Sequence, residues 1–244
     1  MTVIASQIAA VLGAAPIVSD QAEQVVSPPL AINLTAIAVG AVAGALYAVR
    51  KDFDVSGVVG IAIVAGLGGS LIRDTLLQQG PPLALTEPWY LGTALIAATF
   101  GFFFASLLAR FHPLFLWLDA LALGLFAIVG AQMAIMVELP VVAAILVGLL
   151  TAVGGSLLRD LLSGQAAEVL LPGPPYATAA VVGILAYIAM TEVAGIRGVA
   201  SEWIAVAVVV GVRIVTAWLG WRAPRPVDLT PRSLRSEGEP GPGV

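Results

Sequence analysis

The chain is 244 residues long, 59% hydrophobic and 11% charged, with a mean hydropathy of +1.01, against about 25% charged for an ordinary soluble domain. That balance describes an integral membrane protein, and its apolar runs of about 20 residues specify spanning α-helices rather than the alternating ten-residue strands of a barrel. The formal charge of −4 points to no nucleic acid, the absence of Cys excludes disulfides, thiolate metal sites and a Cys nucleophile, and a single His, His112, excludes a His-based metal cluster.

Residues 1–29 form a leader, interfacial or poorly ordered. No basic stretch precedes its apolar patch, and Pro16, Asp20 and Glu23 interrupt or end that patch, so a cleaved signal peptide is not expected. Seven transmembrane spans are predicted next, over residues 30–49, 55–77, 90–109, 114–137, 141–162, 176–194 and 203–221. The short loops between them carry helix-stopping prolines: Pro81-Pro82, Pro88, Pro113, Pro140 and the stretch from Pro172 to Pro175. Residues 223–244 are rich in Pro, Arg and Glu and read as a disordered tail.

Arg50, Lys51, Arg110, Arg222 and Arg225 fall in loops on one side, and Arg197 on the other. The positive-inside rule therefore places the C-terminus in the cytoplasm and the N-terminus outside. Trp89, Tyr90, Tyr176, Trp203, Trp218 and Trp221 lie near span ends, where interfacial anchors are expected.

The second and fifth spans share a motif. Gly68-Gly69-Ser70-Leu71-Ile72-Arg73-Asp74 returns as Gly154-Gly155-Ser156-Leu157-Leu158-Arg159-Asp160, a register of 154 − 68 = 86. The same register aligns Gly44-Ala45 with Gly130-Ala131, Ala48 with Ala134, Pro88 with Pro174 and Tyr90 with Tyr176. The chain therefore reads as a three-helix repeat over residues 30–110, a second over 111–196, and a seventh helix within 197–222. Three spans per copy is odd, so the copies are inverted about an axis in the membrane plane, and such folds place their functional site near the midplane between interrupted helices.

Each Gly pair weakens its helix by about 1 kcal/mol per residue relative to Ala and lets backbones approach. A helix opened there would present carbonyls suited to a dehydrated cation, and a new N-terminus suited to a carboxylate or to Ser70 and Ser156. Either a cation path or a zwitterion site is thus permitted. An unpaired guanidinium would repel a cation, so Arg73 and Arg159 need partners. Asp74 and Asp160 point about 100° away around their own helices, which favours pairing across the copies, Arg73 with Asp160 and Arg159 with Asp74. The inversion places Arg73 toward the outside and Arg159 toward the cytoplasm.

Arg213 in span seven reads as a structural or gating salt-bridge member rather than a permeation group, and Asp119 near the start of span four as a second charge within the spans, gating or structural. The register aligns Asp119 with Asn33, so only one copy keeps the carboxylate. Glu138 reads as a solvated interfacial charge. Gly44, Gly60, Gly66, Gly130 and Gly148 read as helix-packing positions. No nucleophile elbow, phosphate loop or paired catalytic carboxylates occur, so an enzyme is not expected.

At these residues the sequence resembles the prokaryotic trimeric intracellular cation (TRIC) channels, whose domain is also described as a bacterial glycine transporter domain. The resemblance runs from about Leu34 to Trp221. It covers both motifs, the Gly130-Ala131-Gln132 segment after Asp119, and the Pro-x-Tyr starts of spans three and six. It implies a homotrimer in a prokaryotic inner membrane, each protomer with its own pore for K+ and, less selectively, Na+. Glycine kinks would fall at Gly68-Gly69 and Gly154-Gly155, with Arg73, Asp74, Arg159 and Asp160 at or near the constriction. No cofactor or metal is implied beyond permeant K+ or Na+ and bound membrane lipid. The chain departs from the family pattern in having Ser70 and Ser156 for a third Gly, and Asn33 for an acidic residue. The expected function is a passive monovalent cation channel. The alternatives are a transporter of glycine or another small amino acid, and a non-conducting scaffold.

Overall fold

The computed structural model describes residues 30–108, 113–171, 175–196 and 198–221, without the side chains of 105–108. The leader, Arg110, His112, Arg197, residues 172–174 and the tail lie outside the described residues. The chain folds as α1 (Leu30–Arg50), α2 (Val55–Leu77), a short α3 (Leu83–Thr86), α4 (Pro88–Leu108), α5 (Leu114–Met136), α6 (Val141–Leu162), a 3-10 turn at Glu168–Leu170, α7 (Ala177–Ile188) continued by a π turn at Ala189–Val193, and α8 (Val199–Trp218).

Five of these helices, α1, α2, α5, α6 and α8, are long and apolar enough to cross a membrane, and shorter apolar segments at Pro88–Phe104 and Ala177–Val193 occupy the places of the third and sixth predicted spans. Helix starts follow local chemistry. Pro88 opens α4, where its missing N–H costs nothing. Asp54 caps α2, its carboxylate accepting the Gly57 N–H at 2.8 Å and the Ser56 hydroxyl at 3.0 Å, and these bonds hold its carboxyl below the usual range. Because the folded-state value is lowered, the cap's contribution is complete above the unfolded value, about pH 4, and fades as pH falls through the folded one. Asp54→Ala is therefore expected to lower the Tm of detergent-solubilised protein at pH 7, the difference from the parent closing at lower pH.

The arrangement differs from that of a soluble domain in its apolar surface and its buried charges. From 122 to 131, α5 is buried all round. The charged side chains Arg73, Asp74, Asp119, Arg159, Asp160, Glu202 and Arg213 are also buried, while Ile96, Phe103, Val142, Leu162 and Trp218 face outward. An apolar perimeter around an apolar core that also holds these charges suits lipid as the outer solvent. The helices meet through small residues: Gly44 against Ala62 and Ala65, Gly66 against Ile37 and Ala41, Gly130 against Gly148 and Thr151. Close packing of this kind holds membrane helices together where no hydrophobic effect separates them from lipid. These contacts agree with the packing roles read for Gly44, Gly66, Gly130 and Gly148, whereas an added Cβ at Gly60 would meet nothing within 4 Å.

Two expectations need correction. Tyr90 and Tyr176 are not interfacial anchors: they are 1% and 6% exposed, with their hydroxyls engaged inside the protein. Trp89, Trp203, Trp218 and Trp221 are exposed as anchors should be. The last helix begins at Val199 rather than 203, because Ser201 and Glu202 are buried in its first turn. Glu138 is exposed, as read from sequence.

Candidate functional site: a glycine crossing between two buried charge clusters

The two Gly-Gly-Ser motifs meet. A Cβ placed on Gly69 would overlap the carbonyl oxygen of Thr151, and one on Gly155 would overlap that of Ala65. Thr151 and Ala65 are themselves related by 151 − 65 = 86. Gly68 and Gly154 instead face the ends of flexible side chains, Leu158 Cδ1 at 2.9 Å and Ile72 Cδ1 at 2.6 Å from the added Cβ. Rising positions on α2 meet falling positions on α6, so the helices cross antiparallel at backbone contact.

Neither helix is broken there. Both are α-helical through the glycines, and Ser70 and Ser156 return their hydroxyls to the carbonyls of Leu67 and Val153, at 2.8 and 3.0 Å. The expected opening that frees carbonyls is therefore not observed. The space at Gly69 and Gly155 is taken by the backbone of the other helix, and that at Gly68 and Gly154 by the side chains of Leu158 and Ile72.

Arg73 lies 73 − 68 = 5 residues beyond its glycine, and Arg159 likewise beyond Gly154, about 7.5 Å along each axis. With the helices antiparallel, the arginines sit on opposite sides of the crossing, about 15 Å apart along it. The expected cross-copy pairs are therefore not formed. Arg73 Nε instead donates to Asp74 Oδ1 at 2.7 Å, and Arg159 Nε to Asp160 Oδ1 at 2.9 Å. Each carboxylate bends back to its neighbour because its other oxygen holds the chain just after the helix: Asp74 Oδ2 accepts the Leu83 N–H and Asp160 Oδ2 the Glu168 N–H, both at 2.9 Å.

The clusters differ in what surrounds the pair. Beside Arg73, Asn33 Nδ2 donates to the Tyr90 hydroxyl, and Arg73 Nη1 has no hydrogen-bond partner among the described residues. At the equivalent position in the second cluster, Asp119 takes the place of Asn33, and its Oδ1 accepts from Arg159 Nη1 at 3.1 Å. Arg159 also lies over the Tyr47 ring, 4.4 Å from its centroid. The Tyr176 hydroxyl donates to Ser156 Oγ at 3.2 Å, and Arg213 lies over the Tyr176 ring at 4.6 Å while pairing with Glu168 at 2.6 Å. The second cluster thus joins α5, α6, the 3-10 turn and α8. Asp119 and Arg213 are both salt-bridge members there.

Comparison with known proteins then bears on the whole arrangement. A family model described as glycine transporter matches residues 30–106 and again residues 116–192. The matches are displaced by 116 − 30 = 86, the register of the motif. This chain belongs to the glycine transporter family. Its relatives in the family include a UPF0126 membrane protein of Deinococcus radiodurans, 40% identical over 153 residues, which are 62% of this chain and 71% of that one. Another is the UPF0126 membrane protein YvgT of Bacillus subtilis, 37% identical over 136 residues, 55% and 67% of the two chains. Among solved structures, the fold is similar to a TRIC trimeric intracellular cation channel orthologue from Rhodobacter sphaeroides, at 34% identity and a TM-score of 0.72, covering 78% of this chain and 97% of that one. A second TRIC cation channel, solved to explain conductance, matches at 32% identity and a TM-score of 0.72 over 81% and 96%. The chain is therefore a multi-pass membrane protein with the fold of these cation channels.

Three participants in this glycine transporter family member were not legible from sequence. Glu168 sits in what reads as a loop, Tyr47 in an apolar run, and Glu202 at a span end. Glu202 accepts from Gln132 Nε2 at 2.9 Å, and both line a cavity of about 450 Å3 beside the π turn. Gln132, adjacent to a repeated Gly-Ala pair, was the available signal for it.

Proposed function

We propose that the protein is a passive channel for monovalent cations, K+ foremost, with one path per protomer between the two charge clusters and a closed constriction where α2 and α6 cross. The reading is carried by the likeness in fold to TRIC cation channels over 78% of this chain at 34% identity. Asp119 Oδ2, buried without a hydrogen-bond partner among the described residues, is consistent with a path for positive charge. Opening would consist of small shifts of α2 against α6, whose backbones touch at Gly69 and Gly155 while Leu158 and Ile72 pack onto Gly68 and Gly154. In this reading α4 and α7 also span, the copies 30–110 and 111–196 have inverted topology, and three protomers assemble in the inner membrane of a prokaryote with the N-terminus outside. Lipid contacts the apolar perimeter, and no cofactor is needed.

The alternative, a carrier of glycine or a similar zwitterion, draws on the family description and on Arg73 Nη1, which has no hydrogen-bond partner among the described residues. Purified protein in liposomes separates the two. The channel reading expects rapid Tl+ entry that quenches a trapped dye and no saturable uptake of radiolabelled glycine. Saturable glycine uptake without Tl+ entry would refute it.

A further inference from the structure

The cavity of about 450 Å3 shares no lining residue with the glycine crossing or with either charge cluster. It lies between the end of α5, the π turn after α7 and the first turn of α8, and its volume falls within the roughly 300–1,000 Å3 of small-molecule sites. The register of 86 sets Leu46 opposite Gln132 and Ala105 opposite Thr191, and Glu202 lies outside the repeats. These three polar residues are therefore not accounted for by the duplicated architecture. π turns are rare and concentrate at functional sites, and Thr191 and Glu192 of this one line the cavity.

Glu202 sets the charge preference. It is 5% exposed, its side chain accepts from Gln132 Nε2 at 2.9 Å, and no cationic side chain pairs with it among the described residues. Its place in the first turn of α8 helps by about 0.3–1 kcal/mol, short of the several kcal/mol that burying an ion costs. No Lys, Arg or His is found among the described residues of the lining. Gln132 Oε1 is a second acceptor, buried without a hydrogen-bond partner among the described residues. The Thr191 hydroxyl, which donates to the carbonyls of Tyr187 and Ile188, keeps its lone pairs as a third.

The rest of the wall includes Ile135, Met136 and Tyr187. A metal ion gains nothing from such a surface, and the carboxylates of Glu192 and Glu202 are too few for the oxygen cages that hold Ca2+. An organic cation uses both parts of the lining. A primary ammonium carries three N–H donors for Glu202, Gln132 and Thr191, and a short alkyl body covers the apolar wall. A zwitterion such as glycine would bring its carboxylate beside Glu202 with no basic partner among the described lining residues.

We propose that this cavity binds a primary alkylammonium group, with Glu202 as its counter-ion and Gln132 and Thr191 as further acceptors. The site does not depend on what crosses the membrane. Two sources carry the group, a small soluble amine and the ethanolamine headgroup of a lipid. Calorimetric titration of the full-length protein in phosphatidylcholine nanodiscs with n-propylamine hydrochloride is expected to saturate at one ligand per protomer. Glu202→Gln, which keeps an oxygen for the Gln132 N–H, is expected to weaken binding about tenfold or more, the loss of one charge-assisted hydrogen bond. Glycine, K+ and tetramethylammonium, which has no N–H donor, are expected not to displace the amine. Phosphatidylethanolamine in the nanodiscs then separates the sources: weakened propylamine binding assigns the site to the headgroup, and undiminished binding assigns it to a soluble amine. No saturation in phosphatidylcholine, an affinity unchanged in Glu202→Gln, or displacement by glycine, K+ or tetramethylammonium at the amine's own concentration would overturn the proposal. Should Glu202→Gln fail to fold, Met136→Trp decides. Met136 is an exposed residue of the lining, so the larger ring fills the cavity from its rim, and undiminished amine binding would overturn the site.

Discussion

Gly155→Ala and Gly69→Ala are expected to be among the most damaging single-methyl changes at the described glycines. The new Cβ would overlap a backbone carbonyl oxygen, that of Ala65 or of Thr151. Backbone in the middle of a packed helix cannot turn away as a side chain can. Overpacking in well-filled interiors costs about 1–3 kcal/mol, and an immovable partner puts these substitutions at or beyond the upper end. Gly68→Ala and Gly154→Ala meet the ends of Leu158 and Ile72, which can change rotamer. They should fold with smaller losses while stiffening the contact over which α2 and α6 must slide, so reduced flux from folded protein is expected. Leu at either position would wedge the helices apart and abolish flux. Gly60→Ala is the control: it meets nothing within 4 Å and should be neutral or gain up to about 1 kcal/mol from helix propensity. Thermal unfolding in detergent, read beside Tl+ flux, separates the three classes.

The second large effect is expected at Arg159. It is 2% exposed and is the common partner of Asp119 and Asp160. Arg159→Met would leave both carboxylates buried and unpaired, and removing one partner of a buried pair costs about 3–5 kcal/mol. Arg73→Met strands only Asp74 and should cost less. The ordering matters more than either value, because two equivalent motifs would suffer equally if their surroundings were alike. Adding Asp119→Asn to Arg159→Met should recover part of the loss, since one stranded charge is removed. No such recovery is expected from adding Asp74→Asn, which lies in the other cluster.

Much of this architecture is legible in the chain. Apolar runs bounded by prolines locate the helices to within a few residues, and the duplicated motif fixes a register that the two family matches repeat. The motif's charges, with Asp119 and Arg213, fall at the buried clusters. What sequence could not supply was the direction in which each group is used. Adjacent Arg and Asp residues point apart on a helical wheel, yet Asp74 and Asp160 pair with their neighbours because each is also tied to a backbone N–H eight or nine residues onward. That tie depends on where the chain turns after the helix. The Gly pairs were read both as weak points in their own helices and as places where backbones approach, and the carbonyls of Ala65 and Thr151 show that the second applies here. Tyr90 and Tyr176 illustrate the same limit. An aromatic residue at a span end faces lipid or protein according to its neighbours, and here Asn33 and Ser156 lie on the inner side.

The central claim is that a cation path runs through each protomer and closes where α2 crosses α6. The most direct measurement is recording from purified protein in a planar bilayer under a KCl gradient. Discrete unitary currents reversing near the K+ equilibrium potential are expected, with unchanged amplitude in Gly60→Ala and loss of openings in Gly154→Leu. A silent bilayer from folded, assembled protein, or currents that reverse near the Cl− potential, would contradict it.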